Sequence, residues 1–139
     1  MSALLDSSVL VAALASDELK HAECLARLLT GGNCIYSHAL LESFSTLTGG
    51  KLGVRVTADF AVRMLSETVL PRVTVIELSS SEIIAALGIA QSRGVRGGCV
   101  YDYMHLVGAK KANASVIHTL NMDDFMHLRR GDDPEVQLP

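Results

Sequence analysis

Short apolar runs alternate with helix-patterned segments along almost the whole chain. This alternation confines the fold to the α/β class with a parallel sheet. "ALLDSS" (3–8) reads as a buried strand ending in a strand-to-helix turn, and "SVLVAALAS" continues as helix. "LKHAECLARLL" (19–29) repeats its apolar residues at helical spacing and stops at the glycines of "TGGN". "CIY" (34–36) is a short strand, and "SHALLESFSTLTGG" (37–50) a helix with Ser37 as N-cap and two glycines after its end. "TADFAVRMLSETV" (57–69) is an amphipathic helix capped by Thr57, and "RVTVIEL" (72–78) alternates as a strand does. "SSSEIIAALGIAQSRG" (79–94) carries a serine cap, Glu82 in its first turn and a terminal Gly94. "CVYDYMHLVGAKKA" (99–112) is an apolar helix and "ASVIHTL" (114–120) a strand. "MDDFMHL" (122–128) makes a short helical turn, and the polar tail "DDPEVQLP" holds a last short strand.

No repeat, linker or low-complexity segment interrupts this order, and 139 residues suit one core, so residues 1–139 read as a single domain. An apolar content of 49% argues against disorder. No apolar run reaches the ~18 residues that cross a bilayer, so no membrane association is expected. "MSALLDSS" has neither the basic start nor the cleavage site of a signal peptide. Cys24, Cys34 and Cys99 stand far apart with no C-x-x-C pair, which points to reduced thiols, a cytoplasmic location and small buried side chains. A net charge of −3 argues against a nucleic-acid coat, which is normally basic. It leaves room for an enzyme that reaches a nucleic acid through metal ions and a local basic patch. With no Trp and three each of Tyr and Phe, broad stacking on bases is not expected.

The acids fall where chemistry is placed in such folds. Asp6 follows the first strand, and ligands of open parallel sheets collect beyond strand carboxyl ends; a helix cap explains Asp6 equally well. Glu42 lies opposite the stripe Leu40, Phe44 and Leu47, which reads as a solvated position. Small neighbours, Ala39 and Thr46, nevertheless leave that side open to close approach. Asp102 opens its helix, where the dipole favours a negative charge by ~0.3–1 kcal/mol. The loop before it, "SRGVRGG", is basic and glycine-rich, and Arg93 and Arg96 are candidate phosphate contacts or ordinary surface residues. Asn121, Asp123 and Asp124 cluster after the strand "ASVIH", at positions that also suit a cap. Taken together, three or four carboxylates at one site would repel one another and need a cation. Oxygen ligands of this kind select Mg²⁺ or Mn²⁺, whose chemistry includes phosphodiester hydrolysis.

The five histidines, at 21, 38, 105, 118 and 127, show no zinc spacing, and the acid cluster contains none of them. His105 shares a helix face with Asp102, which leaves contact with the site open, and a surface or half-buried role is the expectation for it. No G-x-G-x-x-G, Walker A or G-x-S-x-G stretch is present.

The ordered set "LLDSSVLV", "LLESFSTL", "YDYMHLVGAKKANA" and "HTLNMDDF" resembles the PIN-domain ribonucleases, and within them the VapC toxins of bacterial toxin–antitoxin pairs. The resemblance spans Ala3 to about Leu128. It implies a PIN-like three-layer α/β fold with a central, mainly parallel sheet flanked by helices. It implies a Mg²⁺- or Mn²⁺-dependent endoribonuclease in which Asp6, Glu42 and Asp102 match the metal-holding acids. Ser8 matches the small residue that steadies the first acid, and Thr119 the hydroxyl before the fourth position. The family's fourth acid falls on the uncharged Asn121, and Asp124 matches a secondary acid that supplies charge, ahead of Asp123. An RNA substrate, a cognate antitoxin with a basic side chain over the acids, and a homodimer are implied as well. The helices at 19–29 and 37–48 are candidate partner surfaces or core. Three rivals stand beside this reading. One is a degenerate PIN-like module that binds a partner without catalysis. Another is a phosphoacceptor signalling domain, disfavoured because Lys110 and Lys111 fall inside a helix. The third is a D-x-D phosphatase, whose second Asp is Ser8 here.

Overall fold

The computed structural model describes residues 2–50 and 56–139. The first apolar run forms β1 (Ala3–Leu5), whose three residues are all buried because the strand lies in the middle of the sheet. β2 (Asn33–Tyr36), β3 (Val73–Ile76), β4 (Val116–His118) and β5 (Glu135–Gln137) complete a sheet of order β3-β2-β1-β4-β5. Every pairing is parallel, with Leu4 opposite Cys34 on one side and Ile117 on the other.

Helices cover both faces, as an all-parallel sheet requires. On one side α1 (Ser7–Leu14), α2 (His21–Thr30) and α3 (His38–Thr48) pack over Leu5 and Ile35, with α4 (Ala58–Met64) beyond them. On the other side α5 (Ser80–Gly88), α6 (Val100–Lys111) and α7 (Met122–Leu128) enclose Leu4, Cys34, Tyr36, Ile117 and Val136. Neighbouring residues of one strand serve opposite layers, as the pleat dictates. The expected three-layer α/β arrangement is the one found.

Local chemistry explains most boundaries. Thr57 and Ser79 cap their helices by accepting from Phe60 N and Glu82 N, and Glu82 closes a capping box on Ser79 N. Gly31 and Gly32 end α2 at φ +87° and +70°, conformations open to a residue without Cβ. Ser37 differs from expectation. It is already helical, its side chain makes no cap, and its N–H bonds Ile76 O in the sheet. The helix expected over 79–94 ends at Gly88 and continues only as a short 3₁₀ turn before Gly94. α4 widens into a π turn at Leu65–Val69 and then tightens into a 3₁₀ turn at Leu70–Arg72, where Pro71 cannot continue the helical bonding.

The strand order carries the functional consequence. From β1 the chain runs outward through β2 to β3, then returns to the opposite side of β1 to place β4 and β5. The direction of winding reverses between β1 and β4. In open parallel sheets the crevice beyond the strand carboxyl ends at that switch is where ligands bind. Asp6 directly follows β1 and Thr119 directly follows β4.

Candidate active site

Asp6 is buried, 2% exposed, at the mouth of α1. Its Oδ1 accepts from the Ser8 hydroxyl at 2.5 Å and from Val9 N at 3.3 Å, so it caps α1. Its Oδ2 accepts from the Thr119 hydroxyl at 2.8 Å. Each hydroxyl is itself fixed: Ser8 Oγ accepts from Leu120 N and Thr119 Oγ1 from Asn121 N. The cap of α1 and the candidate site residue are therefore one and the same. Burial pushes the Asp6 carboxyl up, against the hydrogen bond from Ser8, the charge of His105 and the hydrogen bond from Thr119.

Asp102 lies in the first turn of α6 and is half-buried. Burial, and then the charge of Asp6, push its carboxyl up to about 6, with Asp124 and Glu42 adding to the effect and His105 opposing it. Asp102 thus feels the charges of three acids from three other segments, Asp6, Asp124 and Glu42. Asp102 and Asp124 line a cleft of about 560 Å³ with Gly98, Cys99, His127 and Arg130.

Glu42 is not the solvated residue that periodicity suggests. The buried stripe of α3 is Ala39, Ser43 and Leu47, rotated from the expected Leu40, Phe44 and Leu47. The small residues let the helix approach closely, and Glu42 comes to the edge of the packed face. There it meets His105 Nε2 at 2.5 Å and His38 Nδ1 at 3.7 Å. Burial alone would raise the Glu42 carboxyl, but the His105 hydrogen bond, with the charges of His105 and His38, holds it below the usual range.

His105 differs from the surface or half-buried role expected for it. It is 1% exposed, not superficial, and stands among Asp6, Asp102 and Glu42. Among the described residues its Nδ1 has no hydrogen-bond partner. The available signal was spacing: His105 follows Asp102 by three and His38 precedes Glu42 by four, both same-face intervals on a helix. What spacing did not reveal is that the two helix faces meet. Tyr36 joins them, edge-on to the His105 ring at 5.7 Å. Gly108 makes this possible, because a Cβ there would lie 3.2 Å from Tyr36 Cβ.

The remaining candidates are placed less centrally. Asn121 is exposed and lines a neighbouring cleft with Ser7, Ser8 and Glu18, apart from Asp102 and Asp124. Asp123 is exposed. Arg93, a candidate phosphate contact, is 13% exposed and donates to Asp133 Oδ2 at 2.7 Å and Leu128 O at 3.0 Å. Its charge is neutralised by Asp133, and it fastens the loop before α6 to α7; Arg96 is exposed. Lys110 and Lys111 lie in the last turn of α6, paired with Asp133 and Glu82, at the far end of the helix from Asp102. That removes the lysine a phosphoacceptor domain would need.

The donor set fits a hard divalent cation: carboxylates in excess, with His105 between them and, among the described residues, no lysine or arginine paired with them. Among the described residues, no three His, Cys, Asp or Glu side chains are drawn together tightly enough to hold an ion as they stand.

The fold and these residues define a parallel α/β domain with an acidic site at its topological switch. The family model of the PIN domain matches residues 3–130, and the chain belongs to that family. No curated protein matches it in sequence. Among solved structures it is similar to Mycobacterium tuberculosis VapC20, described as a Sarcin-Ricin loop cleaving toxin. There the TM-score is 0.71 and the identity 14%, over 88% of this chain and 92% of that one. It is also similar to VapBC2 from Rickettsia felis, bound to a promoter DNA fragment, with TM-score 0.68 and 17% identity over 99% and 98%. A toxin–antitoxin complex from Klebsiella pneumoniae gives TM-score 0.60 and 20% identity over 89% and 90%.

Proposed function

We propose that this protein is a divalent-metal-dependent endoribonuclease and the toxin of a toxin–antitoxin pair. The observation that carries this reading is the buried Asp6 at the switch between β1 and β4, held by Ser8 and Thr119, with Asp102 near enough for the two carboxylates to repel. Asp6 and Asp102 would hold Mg²⁺ or Mn²⁺, with Asp124 contributing directly or through water. A bound ion there supplies charge stabilisation at a phosphoryl oxygen and a more acidic water. Ser8 and Thr119 orient Asp6, and their hydrogen bonds favour its charged form against the burial that pushes its carboxyl up. Glu42, with one oxygen taken by the imidazoles, either completes the coordination or orients the attacking water. Asn121, neutral and turned to the neighbouring cleft, is at most a water-mediated contributor.

RNA as substrate and an antitoxin as partner are supported by the PIN family match and by what the similar structures are described as doing. Apolar surface left open at Leu41 on α3 and Phe60 and Val62 on α4 supports a homodimer or an antitoxin contact. Three unpaired cysteines support a cytoplasmic setting. Among the described residues no helix is long and apolar enough to cross a membrane. The reading is tested by incubating structured RNA with the protein in Mg²⁺, Mn²⁺ or chelator. Cleavage is expected only with an ion, and metal-independent or absent cleavage refutes it. Asn121 alone favours the second reading, a partner-binding module without catalysis, which would show no specific Mn²⁺ uptake by calorimetry.

A further inference from the structure

Beside the acids, ring side chains form a column whose outer member, Tyr101, the chemistry above leaves unused. At its base the buried His105 ring meets Tyr36 edge-on. Tyr36 is 9% exposed and locked against α6 at Gly108. Outward from Tyr36 comes His38, with centroids 6.3 Å apart and planes inclined by 23°. Outward from His38 comes Tyr101, with centroids 5.2 Å apart and planes within 10° of parallel. Tyr101 is 51% exposed although one face rests on His38, so its other face is open. Two of the three tyrosines in the chain stand in this column.

The column touches the acidic site three times, the first through the bond of His105 to Glu42. His38 reaches Glu42, and Tyr101 immediately precedes Asp102, with their Cα atoms about 3.8 Å apart across one peptide bond. A flat, rigid, half-apolar surface one residue from a carboxylate that would address a phosphate suits the base of the same strand. Any base offers a π face, and stacking on an aromatic ring needs no particular sequence. The low aromatic content argues against stacking along a strand, and one ring is enough for one base.

We propose that the open face of Tyr101, backed by His38 and Tyr36, is the stacking subsite for an unpaired nucleobase next to the phosphate positioned at Asp6 and Asp102. The inference rests on the ribonuclease reading for the identity of the ligand. The subsite favours single-stranded or looped RNA over duplex, because a paired base cannot present its face.

The test uses mixed-sequence, single-stranded RNA decamers with 2-aminopurine at successive positions. They are titrated into the intact protein with Ca²⁺ replacing Mg²⁺. Wild type and Tyr101→Phe are expected to bind equally and to quench 2-aminopurine at one preferred position. Tyr101→Ala is expected to lose the quench and bind on the order of 10-fold more weakly. Because the chain has no Trp, its intrinsic emission comes from tyrosine, and it should fall on binding in wild type and not in Tyr101→Ala. Equal affinity and quench in all three proteins, or no binding by wild type, overturns the proposal. So does an arginine-bearing peptide that changes the tyrosine emission where the RNAs do not. Cleavage of the same decamers in Mg²⁺ reports separately. Quench without cleavage leaves the subsite standing and removes the nuclease. Cleavage by Tyr101→Ala at wild-type KM removes the subsite and leaves the nuclease.

Discussion

Replacing Asp102 by Asn should make the metal-free protein more stable and the metal-bound protein less so. The side chain keeps its shape and loses the charge that Asp6, Asp124 and Glu42 repel. The gap between its ordinary 3.8 and about 6 corresponds to roughly 3 kcal/mol at 1.36 kcal/mol per pKa unit. Solvent screening at a half-buried group reduces this to about 1–2 kcal/mol. In chelator at pH 7.5 the variant should therefore melt about 3–8 °C higher than wild type. The sign with pH follows from a raised acid. The folded state holds the proton more tightly than the unfolded state, so wild-type stability falls as pH rises from 3.8 to 6. The advantage of the variant should be full above pH 6, about half as large near pH 5, and gone below about pH 4. Excess Mn²⁺ should reverse the order. At 100 times its dissociation constant an ion stabilises wild type by about 2.7 kcal/mol, and the variant should gain much less. RNA cleavage by the variant should fall on the order of 10²-fold or more. Calorimetric melts of both proteins, with chelator and with Mn²⁺, decide the matter. A variant no more stable than wild type in chelator, or equal gains from Mn²⁺, would refute the crowding argument.

Two further outcomes probe the scaffold around the site. Asp133 is 4% exposed and ion-paired with Arg93 and Lys110, and despite burial these contacts and Arg130 N hold its carboxyl below the usual range. Its stabilisation is thus present above pH 3.8 and lost as pH falls, opposite in sign to Asp102. Asp133→Ala should cost about 3 kcal/mol at pH 7 in a denaturant titration by stranding Arg93, and that cost should vanish in acid. Gly108→Ala should cost about 1 kcal/mol, because Tyr36 Cβ on a central strand cannot easily give way at 3.2 Å. By moving Tyr36 against His105 it should also lower cleavage, which a kinetic assay on the folded variant would show.

The fold was largely legible because each element is written in its own period. Every strand and helix expected from the sequence has a counterpart, including the closing strand at Glu135–Gln137. Legibility failed where one element leans on another. Glu42 looked solvated because its apolar stripe was read from the large residues, while the contact is made by Ala39 and Ser43, which are small enough for closeness. His105 looked superficial because its burial depends on α3 arriving across the sheet end. Arg93 looked available because its partner, Asp133, lies 40 residues away. Asp6, Ser8 and Thr119 were recognisable as a set through the family resemblance. Their hydrogen bonds span more than 110 residues and no local pattern contains them.

The central claim is that Asp6 and Asp102 hold a divalent ion, with Asp124 and Glu42 beside it. Anomalous diffraction from crystals soaked in Mn²⁺ tests it most directly. The expected map has a strong peak bounded by the Asp6 and Asp102 carboxylates, with Glu42 and Asp124 reaching it directly or through water. A saturating soak that leaves this position empty, or puts its peak among other residues, would contradict it.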